Sequence, residues 1–301
     1  MLGFLLSFGT ALLKAATDVS FKRASGKVAN DEILLIVQRG IEAIVSLAVI
    51  LILVLLWDSY AVRLSNILTP YFVLLIIGAA FFNGLGLYLN IKALRISDVS
   101  VVSPMSQLTP AVLLVTSPLM LGESISLYGV IGVLLVVVGS YSIGITKEAG
   151  AISFFGPIRA LASDRGVRLA LISSILYGVS SNIDKLGAQA TDPFVWTFCS
   201  AIVIFGALSM FTFIQARSKF VLNSEQVYLA SIPGFTSGIG SLLQMIAITL
   251  WPVPYVIAVK RLSSLFSVIT GALFFGEKNI LPRMVGALIM VIGTAVIVIL
   301  G

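Results

Sequence analysis

The chain has no histidine, one cysteine (Cys199) and only 11% charged residues in a length of 301. A single thiol excludes an internal disulfide, and without Cys/His clusters a metal site has none of its usual ligands. No metal and no cofactor is therefore expected. With histidine absent, any proton relay falls to carboxylates, lysines or tyrosines. A phosphate loop, a dinucleotide fingerprint, a nucleophile elbow and metal-ligand spacing are all missing, so the chain is not expected to be an enzyme. The scarcity of charge also excludes an ordinary soluble domain, in which about a quarter of the residues are charged.

What the chain has in abundance is apolar surface: 58% hydrophobic residues and a mean hydropathy of +1.10. A bilayer core about 30 Å thick is crossed by a helix of about 20 apolar residues. Ten such runs occur, near 2–21, 33–56, 70–91, 99–121, 125–145, 167–188, 194–215, 227–248, 254–275 and 281–300. The expected fold class is an all-α membrane protein of ten transmembrane helices, with the lipid bilayer as surroundings. The first run lacks a basic n-region and a cleavage site, so it reads as the first span and not as a signal peptide.

The net charge of +6 is dispersed along the chain and masses on no single face, so no nucleic acid is expected as partner. Of the nineteen cations, thirteen follow odd-numbered spans and only Arg63 and Lys185 follow even ones. Taken literally, the positive-inside rule puts both termini outside the cytoplasm. The other four, Lys14, Arg39, Lys260 and Arg261, lie within spans, where an ionised side chain costs a few kcal/mol and so faces a cavity, a partner or a substrate path.

A constant shift of 154 positions lays Gly84 on Gly238, Gly86 on Gly240, Gly122-Glu123 on Gly276-Glu277, Gly132 on Gly286 and Gly139 on Gly293, without a gap. Self-similarity of this kind fixes the architecture. The chain divides into five spans over 1–146, a linker over 147–166 and five spans over 167–301.

Polar faces recur along these spans. On the first, Lys14 and Asp18 are four apart; they read as an ion pair with a snorkelling lysine or as part of a cavity wall. On the second, Arg39 and Glu42 are three apart and neutralise one another, as a clamp or a coupling site. Asn90 on the third span is the repeat equivalent of Gln244 on the eighth, and amides in a bilayer face other helices or water. The fourth span has prolines at 104, 110 and 118, with Ser103 and Gln107 on one face; its counterpart, the ninth, carries Lys260, Arg261 and Ser264. Tyr177 and Asp184 lie on the polar face of the sixth span, with Lys185 beside Asp184 as an ion pair or a gate. The glycines of the fifth and tenth spans, seven apart on one face, read as a packing or dimer seam. Gly122-Glu123 and Gly276-Glu277 form structural turns, in which each carboxylate is expected to cap the helix that follows, with proton coupling as the alternative.

The paired turns LMLGES (119–124) and LFFGEK (273–278), each followed by a glycine-spaced helix, and YGVSSNIDK (177–185) resemble the drug/metabolite transporter superfamily in its ten-helix, EamA-type branch. The resemblance covers essentially the whole chain. It implies two inverted five-helix repeats and alternating access by rocking of the halves. It also implies a substrate cavity lined mainly by spans 1, 3, 4, 6, 8 and 9. Members usually have both termini in the cytoplasm, opposite to the charge count. The Lys260-Arg261 pair is also similar in position to a basic element of the sugar-phosphate and nucleotide-sugar branches, where cations meet a phosphate.

The function expected is secondary active transport of a small polar metabolite, an amino acid or another organic solute, with an anionic group as one option, by export or exchange. The substrate contacts are Lys260, Arg261, Ser264, Ser103, Gln107, Asn90, Gln244, Tyr177 and Lys14. Candidates for coupling or gating are Glu42, Arg39, Asp18 and Asp184. The alternatives are a flippase for a lipid-linked sugar or phospholipid, a multidrug exporter, and a non-transporting scaffold, which would not need polar faces on six helices. The protein is expected in the cell membrane as a monomer or homodimer.

Overall fold

The computed structural model describes residues 1–25, 27, 31–56, 67, 69–144, 154–216, 224–275 and 281–301. These residues form thirteen helices: α1 (Leu2–Ser25), α2 (Asp31–Leu56), α3 (Pro70–Ile96), α4 (Val99–Ser106), α5 (Thr109–Leu121), α6 (Leu127–Gly144), α7 (Gly156–Ser163), α8 (Arg165–Ala190), α9 (Pro193–Ala216), α10 (Ser224–Leu250), α11 (Val253–Lys260), α12 (Leu262–Phe275) and α13 (Leu281–Leu300). Every expected span is helical. Eight helical stretches are long and apolar enough to cross a membrane, and Leu127–Ile143 is a shorter apolar helix. The surplus over ten arises because the fourth span is divided into α4 and α5, the ninth into α11 and α12, and the linker contains α7.

The helices form two compact units, each drawing on both halves of the sequence. The first comprises Met1, Phe81–Asn182 and Trp251–Gly301; the second comprises Leu2–Ala80 and Ile183–Leu250.

In the first unit α6 packs antiparallel on α13 through glycines. A Cβ on Gly132 would stand 2.8 Å from the Gly293 carbonyl oxygen, and one on Gly139 would stand 2.5 Å from that of Gly286. No side chain fits there, so the backbones meet directly. Gly132 and Gly286 are repeat equivalents, as are Gly139 and Gly293. The seam therefore contacts itself as a two-fold interface does, position for position. The glycine faces meet one another within the chain, as the packing reading expects. Nearby, Ala93, Val102, Met105, Tyr141, Val167 and Ala170 form a buried cluster that joins α3, α4, α6 and α8, and Ala160 and Leu161 of α7 pack against it.

In the second unit α1 turns a small-residue face inward: Gly3, Ser7, Thr10, Ala11, Ala15 and Thr17 are buried. Residues this small let α10 approach closely. A Cβ on Gly9 would come 3.2 Å from Leu243, one on Gly240 would come 3.4 Å from Leu13, and the hydroxyls of Thr17 and Thr236 are 2.8 Å apart. Helix α2 packs on α10 through Ile41 and Val45, which fill the space beside Gly234 and Gly238. At the far end of α2, Ile50 and Val195 form a cluster with Leu53, Phe194 and Phe198 of α2 and α9. Trp196, fully buried, lies flat on Gly187, where a Cβ would fall 2.2 Å from the indole.

Candidate functional site

The central feature of the first unit is a pair of matching breaks. Pro110 has no N–H, so the carbonyl four residues earlier, on Ser106, loses its helical donor. The chain tightens there to three-residue bonds: the Gln107 N–H donates to Pro104 O at 3.2 Å and the Leu108 N–H to Met105 O at 3.2 Å. Helix α5 then restarts with Pro110 in its first turn, where a missing donor costs nothing. The orphaned Ser106 carbonyl accepts Arg261 Nη2 at 3.1 Å.

Arg261 is itself the residue between α11 and α12. It is the 154-shift equivalent of Gln107, and both are αR C-caps of their short helices. The second break contains no proline; residue 264 is serine. Ser264 turns both its N–H (3.0 Å) and its hydroxyl (2.8 Å) back to the Arg261 carbonyl, the local competition by which serine disturbs helices. The repeat register locates this second break, although the positions equivalent to Pro104, Pro110 and Pro118 hold Ala258, Ser264 and Ala272.

Around the breaks, the Ser106 hydroxyl donates to Asn90 Oδ1 at 2.9 Å, so Asn90, Ser106 and Arg261 form one chain of polar contacts. Gln107 Oε1 is buried and accepts no hydrogen bond among the described residues. Lys260 is half-buried at the end of α11, whose residues Val253 to Val259 are all buried. A cation at a helix C-terminus meets the negative end of the dipole. Ser103 is half-buried on α4. Ser264 Oγ also lies 3.7 Å from Met290 Sδ. Tyr177 stacks against Gly86, where a Cβ would come 3.3 Å from its ring, and the Ser173 hydroxyl donates to the Gly86 carbonyl at 2.8 Å. Asn182 is a polar residue that the site prediction missed. It is fully buried, accepts from Ser117 Oγ at 2.7 Å and donates to Thr116 Oγ1 at 3.0 Å, tying α8 to α5. Its signal was the YGVSSNIDK stretch, read only for Tyr177 and Asp184.

The second unit holds a carboxylate centre. Glu42, 3% exposed, accepts from Arg39 Nη1 (2.8 Å), the Ser237 hydroxyl (3.1 Å) and the Ser241 hydroxyl. Three donors satisfy a buried carboxylate, and Arg39 balances its charge within one helix. Ser237 and Ser241, one turn apart on α10, are recruited across helices, which intrahelical spacing could not reveal. Gln244, one turn further along α10, is also buried. Lys14 and Asp18 form the expected ion pair on α1, with each side chain close to half-exposed. Asp184 accepts the indole N–H of Trp196 at 3.0 Å and so fixes that ring.

The Gly-Glu turn corrects one expectation. Gly122 ends α5 at φ +67°, the left-handed conformation that favours glycine, and its N–H donates to Pro118 O at 3.0 Å. Glu123, however, reaches the N-terminus of a different helix. Its carboxylate accepts the Val253 N–H (3.0 and 3.3 Å), the first residue of α11, while Ser126 caps α6 through the Gly129 N–H at 2.9 Å. A short turn leaves the glutamate side chain reaching away from its own helix, and the N-terminus it finds belongs to the other repeat. Gly276 and Glu277 lie outside the described residues.

At the edge of the spans, Asp164 caps α8 through the N–H groups of Gly166 (2.7 Å) and Val167 (3.1 Å) and accepts the Ser97 hydroxyl. The Ser97 bond chiefly, then these backbone donors and Arg168, outweigh desolvation and hold its carboxyl below the usual carboxylate range.

Membrane-length helices, a duplicated register that reaches the backbone breaks, and polar groups gathered at those breaks define an integral, multi-pass membrane protein built from two repeats. The model of the EamA-like transporter family matches residues 1–145 and 164–299. The chain belongs to that family, within the drug/metabolite transporter superfamily, and is a membrane transporter by family; the family is generally non-enzymatic. A solved crystal structure is similar over 98% of this chain and 95% of its own, with a TM-score of 0.74 at 17% identity, a likeness of fold alone. No curated protein matches the sequence.

Proposed function

We propose that the protein is a secondary active transporter that carries a small polar metabolite with an anionic group across the cell membrane by alternating access, in export or exchange. Lys260 is the anion contact. Gln107, Asn90, Ser103, Tyr177 and Ser264 supply hydrogen bonds on the same unit, and Arg261 holds the break in place through Ser106. The ten spans form two inverted repeats, a reading supported by the antiparallel, position-for-position glycine seam of α6 and α13. The Glu42–Arg39 pair is the candidate for coupling, since it is a charge pair held in one repeat alone and two serines of α10 converge on its buried carboxylate.

The observation that carries the reading is the repeat-matched pair of breaks, with a cation at the end of α11 and a buried, unsatisfied amide oxygen on the residue equivalent to Arg261. Discontinuous helices place helix ends and backbone groups at transporter binding sites. The experiment is thermal stabilisation of purified protein by a panel of phosphorylated, carboxylated, zwitterionic and cationic metabolites, because a ligand that binds the folded state raises its stability. Stabilisation by anionic compounds that disappears in Lys260→Ala supports the reading. Stabilisation that survives the substitution contradicts it.

A further inference from the structure

Helix α7 lies between two membrane helices and has two distinct faces. Pro157, Ala160 and Leu161 turn inward, Pro157 buried and the other two against the cluster of Met105, Tyr141, Val167 and Ala170. The Tyr141 hydroxyl donates to the Phe154 carbonyl at 2.9 Å and pins the approach to the helix. Its end is pinned by Asp164, which caps α8 and accepts from Ser97 of the α3–α4 turn. Gly166 allows that approach, since a Cβ there would stand 2.9 Å from the Ala93 carbonyl oxygen.

The opposite face carries Phe155, 58% exposed, and Ile158, 47% exposed, with Arg159 beside them. Phe155, Ile158, Arg159 and Ala162 follow the i, i+3, i+4, i+7 rule and are all exposed. Arg165 and Arg168 on the first turn of α8 and Lys92 and Arg95 at the end of α3 are exposed too. The only acids among the described residues of these segments are Asp98 and Asp164, and Asp164 is occupied by Ser97 and two backbone donors.

A short helix with Ile158 and Arg159 exposed, Phe155 exposed at its N-cap and Arg165 and Arg168 on the next helix has the chemistry of an interfacial segment. We propose that α7 is a docking surface for anionic phospholipid: Phe155 and Ile158 enter the headgroup–acyl boundary, and Arg159, Arg165 and Arg168 bind headgroup phosphates. Charge complementarity selects the partner. Arginine forks bind phosphate bidentately, whereas a second copy of the chain would bring like charge to like. The proposal depends on placement in a membrane and not on what is carried.

The test uses the full chain in proteoliposomes, with Cys199→Ser and Ile158→Cys and an environment-sensitive fluorophore at position 158. Quenching by spin-labelled phosphatidylglycerol is compared with quenching by spin-labelled phosphatidylcholine. The expected result is a several-fold preference for the anionic lipid. That preference should shrink with each arginine replaced by glutamine and be lost when Arg159, Arg165 and Arg168 are all replaced. Should the substituted proteins fail to fold, the unsubstituted arginines give the same reading through salt, since 0.5 M NaCl screens the preference. Equal quenching by both lipids overturns the proposal. So does a label quenched only by aqueous iodide, or shielded from lipid and water alike by protein. Metabolite stabilisation in the same vesicles reports separately on the transport reading.

Discussion

The contact of α6 with α13 and the contact of α2 with α10 are built by opposite means. The first is apolar, and its glycines obey the repeat register on both sides. The second depends on Glu42, Arg39, Ser237 and Ser241, and α9, the corresponding helix of the second half, carries no charged residue. Phe205 instead packs on Gly40, 3.3 Å from where its Cβ would be. What both repeats need to pack is preserved in both. A charge pair present in one repeat alone serves something that duplication did not require, which is why Glu42 and not the seam is the coupling candidate.

The strongest way to break this comparison is to fill the seam. Gly139→Leu or Gly286→Leu drives a side chain into a carbonyl 2.5 or 2.7 Å away. Each is expected to cost about 3 kcal/mol or more, seen as loss of monodisperse protein in size-exclusion chromatography. Gly84→Ala, with nothing within 4 Å, should leave the elution profile unchanged. A seam that tolerates leucine would mean the helices do not meet there.

Next in size is the carboxylate centre. Glu42→Leu strands the Arg39 charge and is expected to lower stability by about 3 kcal/mol. The double variant Arg39→Leu/Glu42→Leu should recover most of it in thermal melts. If the double variant folds but loses metabolite-driven transport, the contrast between a structural seam and a functional pair is sharpened. If it transports normally, the pair is a clamp.

A smaller effect tests the breaks. Arg261→Gln removes the donor to Ser106 and should cost about 1 kcal/mol. In the Pro110→Ala background the residue-110 N–H reclaims the Ser106 carbonyl, so the same substitution should cost little. Additive losses in this double-mutant cycle would show that the two do not act on one carbonyl.

The smallest effect is pH dependence at Asp164. Its folded-state pKa is depressed, chiefly by Ser97. The resulting stability is therefore present above the unfolded carboxylate value, about 4, and lost as pH falls through the lower folded value. Ser97→Ala should weaken the loss of melting temperature between about pH 4 and pH 2 and leave pH 7 nearly unchanged; the same acid sensitivity in both proteins would dismiss the contact.

Much of this was legible in the sequence. Apolar run lengths located the helices, because a helix in lipid satisfies its own backbone and only composition needs to match. Neutral pairs within one helix, Lys14–Asp18 and Arg39–Glu42, follow from spacing alone. Contacts between distant elements were not legible. Glu123 sits beside α6 in sequence yet binds Val253, and Ser237 and Ser241 reach Glu42 from 195 and 199 positions away. Arg261 reads as a substrate contact from its charge; its bond to the Ser106 carbonyl that Pro110 set free was not legible. The expected linker contains α7, whose eight residues are too few to cross a membrane.

The central claim is a division of labour between neighbours, with Lys260 binding the substrate's anionic group and Arg261 holding the break. The most direct measurement is the affinity of the most stabilising anionic metabolite, by counterflow in proteoliposomes, for wild type, Lys260→Ala and Pro110→Ala/Arg261→Gln. Loss of one charge-assisted contact predicts at least a tenfold weaker affinity in Lys260→Ala and near wild-type affinity in the double variant. Undiminished affinity in Lys260→Ala would contradict the account.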